Sequence, residues 1–427
     1  MTKERAMPQA SSSAATLAAL RHSRGFRTYF LAQFGSNIGT WTQITGLSWL
    51  MLDMTGSASK LGAVLAMETL PVLVLGPFAG SIVDRYDVRR LTVATQSALA
   101  SIVVALAVLQ LLERLDYGTT IVLSFLFGAV LSVDNPARQS LLPELVDTED
   151  LGNAIAMNVL STNGSSLIGP ALGGLVVGWC GSAWCFVLNG ATFLAVALAL
   201  SALRTRDRGR RTGDQNAPKT AKGTIANAFR HVTRTPAMRD ALLMMACVGA
   251  LTYEFPVTLP LLAREGFDAG PVLYGLFFAA AGIGATLGGL HLAGRRNHDG
   301  AAAATAGVTL GAFVLSAAWT PQPVAVIGLF ILVGAASIRF MALTNAAVLE
   351  NAPAEFRGRI MAFWNICFQG STLIGAPAVG CVAATFGARW ALALGGTAAL
   401  GAGLLGLSSH RREHPPTRRL RAHRTPG

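Results

Sequence analysis

Twenty residues of this chain occur twice. Ser165 to Trp184 (SSLIGPALGGLVVGWCGSAW) return without a gap 206 positions later as Ser371 to Trp390 (STLIGAPAVGCVAATFGARW), with eight positions identical. The same offset aligns Glu144 with Glu350, Glu149 with Glu355 and Gly152 with Gly358. A 427-residue chain that repeats about once per half is built from two related units, and that period restricts the fold before any motif is read.

The repeated segments are apolar enough to sit in lipid. Hydrophobic residues make up 52% of the chain and charged residues 13%, against roughly 25% charged in a soluble domain. So few charges cannot solvate a surface, and the composition predicts an integral membrane protein. The first 20 residues are polar and Ser/Ala-rich, so a removable signal peptide is not expected and targeting falls to the first spanning helix. Five cysteines are scattered at 180, 185, 247, 367 and 381 without a CxxC or a nearby His, which predicts no metal site. Cys180 and Cys185 flank a short loop, and their spacing leaves both a disulfide and two free thiols open.

Crossing a hydrocarbon core takes about 20 apolar residues. Such runs lie near 30–52, 61–83, 91–112, 119–137, 152–177 and 184–203, then 240–262, 271–293, 301–319, 323–345, 358–383 and 388–408. The reading is an all-α membrane protein of twelve transmembrane helices: a tail 1–25, a six-helix bundle 26–203, a basic linker 204–236, a second bundle 237–408 and a basic tail 409–427. Placing both termini on one side puts 29 of the 34 Lys/Arg there. By the positive-inside rule that side is the cytoplasm. The net charge of +12 then reflects orientation in a bilayer, and the RTRDRGRR run at 204–211 reads as a solvated or lipid-facing linker, with no nucleic-acid partner expected. Six is an even number, so the two bundles enter the membrane with the same polarity, related by an axis along its normal, and a polar site is expected between them at the midplane.

After the second span comes Gly80-Ser-Ile-Val-Asp84-Arg85-Tyr-Asp87-Val-Arg89-Arg90. An acid–base cluster in a tight turn can bind the orphan amides of a nearby helix start. Gly80, one turn before Asp84, would admit a neighbouring helix. This stretch resembles the loop signature of the major facilitator superfamily, G-x-x-x-D-R followed by basic residues. The resemblance implies that Gly80, Asp84, Arg85, Arg89 and Arg90 latch the two halves on the cytoplasmic side. Asp87 stands where the family has Gly, the basic pair sits one residue late, and the second-half loop at Gly294-Arg295-Arg296 lacks the acid.

In the fifth span, Gly169-Pro170-Ala171-Leu172-Gly173-Gly174 permits tight helix contact, while Pro170 removes a backbone donor and predicts a kink. It is similar to the G-P-x-x-G-G core of the superfamily's exporters, which implies a water-tight antiporter hinge at Gly169, Pro170, Gly173 and Gly174. The second copy shifts its Pro by one, to Pro377. Asp134 to Leu145 (DNPARQSLLPEL) resembles the enterobactin-exporter-like efflux branch. Within it Asp134 and Arg138 stand four apart at an expected helix end, as an ion pair that organises a loop. The resemblance runs from about 25 to 410.

In this superfamily helices 1, 4, 7 and 10 line the cavity, which singles out their polar residues. Gln33, Asn37 and Trp41 recur every four residues on the first span and so share one face, suited either to an organic ligand or to interhelical hydrogen bonds. Glu254, between Tyr253 and Phe255 in the seventh span, is a carboxylate inside a helix and hence a candidate proton carrier. Glu68 in the second span is another, and Arg339 in the tenth a candidate counter-ion. The predicted fourth span carries no Arg, unlike many of the family's drug/proton exporters.

No G-x-x-x-x-G-K-S/T occurs, so no nucleotide or other cofactor is expected and an ion gradient or the substrate's own gradient must supply the energy. The seven His lie near or beyond the span ends, which argues against an enzyme. The expectation is a monomeric, proton-coupled exporter of small molecules such as drugs or siderophores, in the bacterial inner membrane, working by alternating access. An importer or facilitator on the same scaffold is the alternative.

Overall fold

The computed structural model describes residues 18–203, 225–293, 300–353 and 355–413, and among these no strand occurs. Six long helices precede the linker: α1 Arg24–Thr55, α2 Ala58–Arg85, α3 Val88–Leu111, α4 Tyr117–Leu145, α5 Leu151–Cys180 and α6 Ser182–Ala202. Six more segments follow. They are α7 (Pro236–Leu251, then Phe255–Leu261 and a π turn Leu262–Gly266), α8 Pro271–Ala293, α9 Gly300–Trp319, α10 Pro323–Asn351, α11 (Arg357–Asn365, a π turn Ile366–Gly370, then Thr372–Phe386) and α12 Ala388–Glu413. Ten of these are long and apolar enough to cross a membrane, among the described residues. Segments α1 and α5 are as long but richer in Gly, Ser, Thr, Asn and Gln, and do not meet that measure.

Local chemistry sets the helix ends. Ser23, Ser57, Asp87 and Asp116 each accept a hydrogen bond from the amide three residues on, satisfying one orphan donor of α1, α2, α3 and α4. At Asp116 the Thr119 amide stabilises the carboxylate and holds its pKa below the usual value. The repeat ends its helix in the same way twice. Gly181 after α5 has φ 92°, and Gly387 after α11 has φ 91°, a region that only Gly adopts without strain.

Two expectations change here. Segment α4 runs to Leu145 instead of ending at 137, because Pro136 and Pro143 are accommodated inside it, as neighbouring membrane helices permit. The seventh span is not one helix but breaks at Thr252–Glu254. Segment α5 holds Pro170 inside one helix from Leu151 to Cys180. Cys180 and Cys185 are free thiols, the first exposed and the second buried against α1, where it fills the space beside Gly46. The run at 204–211 and residues 1–17 and 414–427 of the tails lie outside the described residues, but Ile225–Arg234 of the linker is a helix that packs on α7 and α11.

The halves are built alike. In the first, α1 packs on α5 and α6, α2 on α4, and α3 on α6; in the second, α7 packs on α11 and α12, α8 on α10, and α9 on α12. The bundles meet through two matching pairs, α5 against α8 and α2 against α11. The end carrying the start of α1 and the end of α12 is termed proximal and the opposite end distal. Trp179, Trp184, Trp319 and Trp390 are exposed at the distal end, as expected of a belt at a lipid–water boundary. Trp319 and Trp390 meet edge to face at 5.1 Å.

Candidate functional site

The bundles are sealed on their distal halves by residues too small to hold them apart. A methyl group on Gly174 would meet Pro271 O at 2.7 Å and the Cα of Gly275 at 3.0 Å. On the other side of the interface, one on Gly380 would meet Ala58 O at 2.6 Å. Gly282 of α8 lies equally tight against Leu167 of α5, so the seal reaches the middle of both helices. Asp53 at the end of α1 pairs with Arg264 at the end of α7 at 2.9 Å, and Ser59 Oγ lies 3.6 Å from Cys381 Sγ. On the proximal half, Gly76 and Gly80 of α2 have nothing within 4 Å, and Val74, Phe78, Val159 and Leu160 are exposed.

The G-P-x-x-G-G core faces two ways. Gly169 and Gly173 sit against Trp41, Thr42 and Thr45 of α1, and the Thr42 hydroxyl donates to Gly169 O at 3.0 Å. Gly174 and the carbonyl of Pro170 face Gly275 of α8. In the second copy Gly375 sits against Ala250 of α7 while Gly380 crosses to α2. The first repeat therefore binds the first helix of its own bundle with two glycines and the second with one, and each binds the opposite bundle with another.

Below the seal, α1 presents the face foreseen at Gln33, Asn37 and Trp41. Gln33 Nε2 donates to Asn37 Oδ1 at 3.0 Å, and Asn37 Nδ2 to Ser161 Oγ of α5 at 3.2 Å. Buried Gln33 Oε1 has no partner. Trp41 reaches across to Phe278 of α8, 5.4 Å between ring centroids. Phe278 in turn meets Phe255 at 6.5 Å, and Tyr253 meets Phe255 at 6.3 Å and Phe368 at 5.9 Å, all edge to face. Edge-to-face pairs favour one another beyond their burial. They form an aromatic layer between the bundles.

Glu254 sits in the break of α7, not inside a helix. Pro256 has no N–H and its ring would clash with the carbonyl of Thr252 four residues back. Phe255, preceding a proline, is steered away from the helical region as well. The chain turns through Glu254 (φ −78°, ψ 41°) and restarts with Pro256 in its first turn. The displaced backbone is held from two sides: Thr252 Oγ1 donates to Gly395 O of α12 at 2.7 Å, and Tyr253 OH to Ser337 O of α10 at 3.2 Å. Glu254 is 2% exposed, and its Oε1 has no hydrogen-bond partner. The segment after the break packs on α1 and α2 of the opposite bundle. At 1.5 Å per residue, Glu254 lies about 18 Å from the distal end of α7 and Glu68 about 15 Å from that of α2, so the two acids are nearly level. Neither has an ion pair among the described residues.

Asp134 is the opposite case. It is fully buried, accepts from Thr95 Oγ1 at 2.7 Å and Gln96 Nε2 at 3.0 Å on α3, and has Arg138 Nε at 2.7 Å. The pair stands inside α4, not at a helix end, and it ties α3 to α4 within one bundle. Because α4 is longer than expected, it carries Arg138 in its last third, while its middle has no Arg.

Comparison with known proteins agrees with this architecture. The family described as transmembrane secretion effector, a major facilitator family, matches residues 14–420. The chain belongs to that family. It is 28% identical over 340 residues to the multidrug efflux pump Tap of Mycolicibacterium fortuitum, covering 77% of this chain and 82% of that one. It is 25% identical over 379 residues to the enterobactin exporter EntS of Escherichia coli, covering 85% and 86%. A crystal structure of a bacterial homolog of the human lysosomal transporter Spinster, in its inward-facing and unoccupied conformation, superposes with a TM-score of 0.69 at 13% identity, covering 94% of this chain and 97% of that one; the likeness is one of fold. The protein is a multi-pass membrane transporter and not an enzyme.

In this transmembrane secretion effector the proximal loop is not latched. Asp87, in the place of the superfamily Gly, caps α3 by accepting from Arg90 N at 2.7 Å. Arg89 donates to Leu200 O and Ser201 O at 2.7 Å each, at the end of α6, where a cation suits the exposed carbonyls. Asp84, Arg85 and Arg90 are exposed, and Gly80 has no helix against it. The expected close approach at Gly80 is absent because the proximal halves stand apart.

Arg339 does not join the residues between the bundles. It lines a peripheral cavity of about 720 Å³ bordered by α8, α9 and α10, together with His291 and Thr309. Membership of the tenth helix does not decide which of its faces a residue occupies. Conversely, Ser161, Phe278 and the Asp53–Arg264 pair escaped the sequence reading. Only Pro256 and the small residues Gly275 and Gly282 left a readable signal, at the helix break and the seal.

Proposed function

We propose that this protein is a proton-coupled exporter of small organic molecules, working as a monomer in the bacterial inner membrane with both termini in the cytoplasm. The observation that carries the reading is Glu254. A carboxylate without a counter-ion, buried where a helix breaks at the interface between bundles, is the group whose charge the protein can least tolerate in one state of a cycle and hydrate in another. Distal glycine contacts with separated proximal halves correspond to an inward-facing state, and the lysine and arginine asymmetry supports the orientation. In the cycle, the distal side opens, Glu254 takes a proton, with Glu68 at a similar depth in α2, and the return to the inward-facing state releases the proton and admits solute beneath the Trp41–Phe278 layer. Asp84, Arg85 and Arg90 latch the proximal side in the outward-facing state. Gly169, Pro170, Gly173 and Gly174 keep the distal seal tight, so that protons do not leak between turns. Tap and EntS, an efflux pump and a siderophore exporter by name, support drugs or siderophores as the solute class.

Everted vesicles containing the protein test this. An inwardly acid pH gradient should drive uptake of a lipophilic dye or a catecholate siderophore, with counterflow of protons. Glu254→Gln should retain solute exchange while losing its dependence on the gradient. Solute accumulation indifferent to the gradient in the wild type would refute proton coupling, and movement in the opposite sense would make the protein an importer.

A further inference from the structure

The cavity around Arg339 lies away from both inter-bundle contacts. Segment α10 forms its floor by packing on α8 and α9, and its walls are apolar, with Leu287, Leu292, Ala306, Phe313 and Leu332 among them. Leu287, Leu290 and Leu332 are exposed, which turns this side of the protein toward hydrocarbon. Arg339 projects into it exposed and without a hydrogen bond or ion pair among the described residues. It stands 12 residues, or about 18 Å, from the proximal end of α10, within reach of the proximal leaflet by a long side chain. His291, in the last turn of α8, lies on the headgroup side of it and is also exposed.

A guanidinium facing hydrocarbon with no partner is costly and is relieved by an anion. A small hydrated anion would gain nothing from the leucine, alanine and phenylalanine walls. An amphiphile with an anionic head satisfies both parts at once. We propose that this groove is a binding site for an anionic phospholipid of the proximal leaflet. The phosphodiester meets Arg339, its headgroup meets His291, and an acyl chain lies between Leu287 of α8 and Phe313 of α9. This site is separate from the transport pathway, so it stands whichever solute is carried.

Spin-labelled phosphatidylglycerol and phosphatidylcholine, at low mole fraction in phosphatidylcholine vesicles containing the full chain, test the proposal. The wild type should immobilise phosphatidylglycerol in preference to phosphatidylcholine by about fivefold, equivalent to ~1 kcal/mol for a cation at the membrane surface. Arg339→Gln should remove the preference and Arg339→Lys should keep most of it. His291→Gln, which leaves the deeper cation in place, should reduce it in part. Equal selectivity in Arg339→Gln and wild type would overturn the assignment. Displacement of the labelled lipid by millimolar inorganic phosphate would also overturn it, by making the site an aqueous anion pocket.

Discussion

Asp53 Oδ1 and Arg264 Nη1 lie 2.9 Å apart, the acid at the end of the first helix and the base at the end of the seventh, so one ion pair joins equivalent positions of the two bundles. Both side chains are about half exposed. Such pairs contribute roughly 0.2–1 kcal/mol. That is too little to hold a fold and enough to tilt an equilibrium between two conformations.

Asp53→Asn or Arg264→Gln should therefore shift the population toward a distally open state by up to about fivefold, at the upper end of that range. Spin-label distances across the distal face report the shift. The double exchange Asp53→Arg with Arg264→Asp should return it toward wild type. An unchanged distance distribution in all three variants would show the pair to be incidental.

Ser59 and Cys381 approach within 3.6 Å across the α2–α11 contact. In a protein whose other four cysteines are replaced by Ala or Ser, Ser59→Cys should form a disulfide with Cys381 on mild oxidation. The crosslink should stop transport, and a reductant should restore it. Full transport by the crosslinked protein would mean that the distal contact need not open.

Two buried acids should behave differently when neutralised. Asp134→Asn leaves Arg138 beside a neutral amide and should destabilise the protein by about 3 kcal/mol, read as a lower midpoint in a thermal scan in detergent. Glu254→Gln breaks no ion pair and keeps an oxygen for the Thr372 hydroxyl, and it should leave the midpoint unchanged or raise it, while abolishing the response of transport to pH. The reverse pattern would exchange their roles.

Gly174→Val and Gly380→Val each place a branched side chain where a methyl already meets a carbonyl oxygen at 2.7 or 2.6 Å. Both should hinder distal closure, raising the reactivity of Cys381 toward a membrane-impermeant thiol reagent applied to the distal side. Gly76→Val, at a position with open space around it, is the control and should leave that reactivity unchanged.

Much of the fold could be read from the chain because its strongest signals are local. A run of apolar residues, a capping Ser or Asp, and a glycine ending two copies of one helix all act within a few residues of themselves. The candidate site was only partly readable. Gln33, Asn37 and Trp41 share a face because helical periodicity alone puts them there, but the hydrogen bond from Asn37 to Ser161 joins residues 124 positions apart. Asp134 reads as a residue at a helix end until α4 is seen to continue past two prolines, and nothing near it in sequence announces Thr95 and Gln96.

The sequence by itself determined the duplication, the helical membrane class, the break latent in Pro256 and the basic side of the molecule, since each depends on composition or short-range backbone chemistry. The tertiary structure decided which buried acid is paired and which is left alone, which end of the interface is closed, and that Arg339 lines a cavity away from the contact between the bundles. Those outcomes depend on which helix faces meet, and helix faces are matched by contacts between residues far apart along the chain.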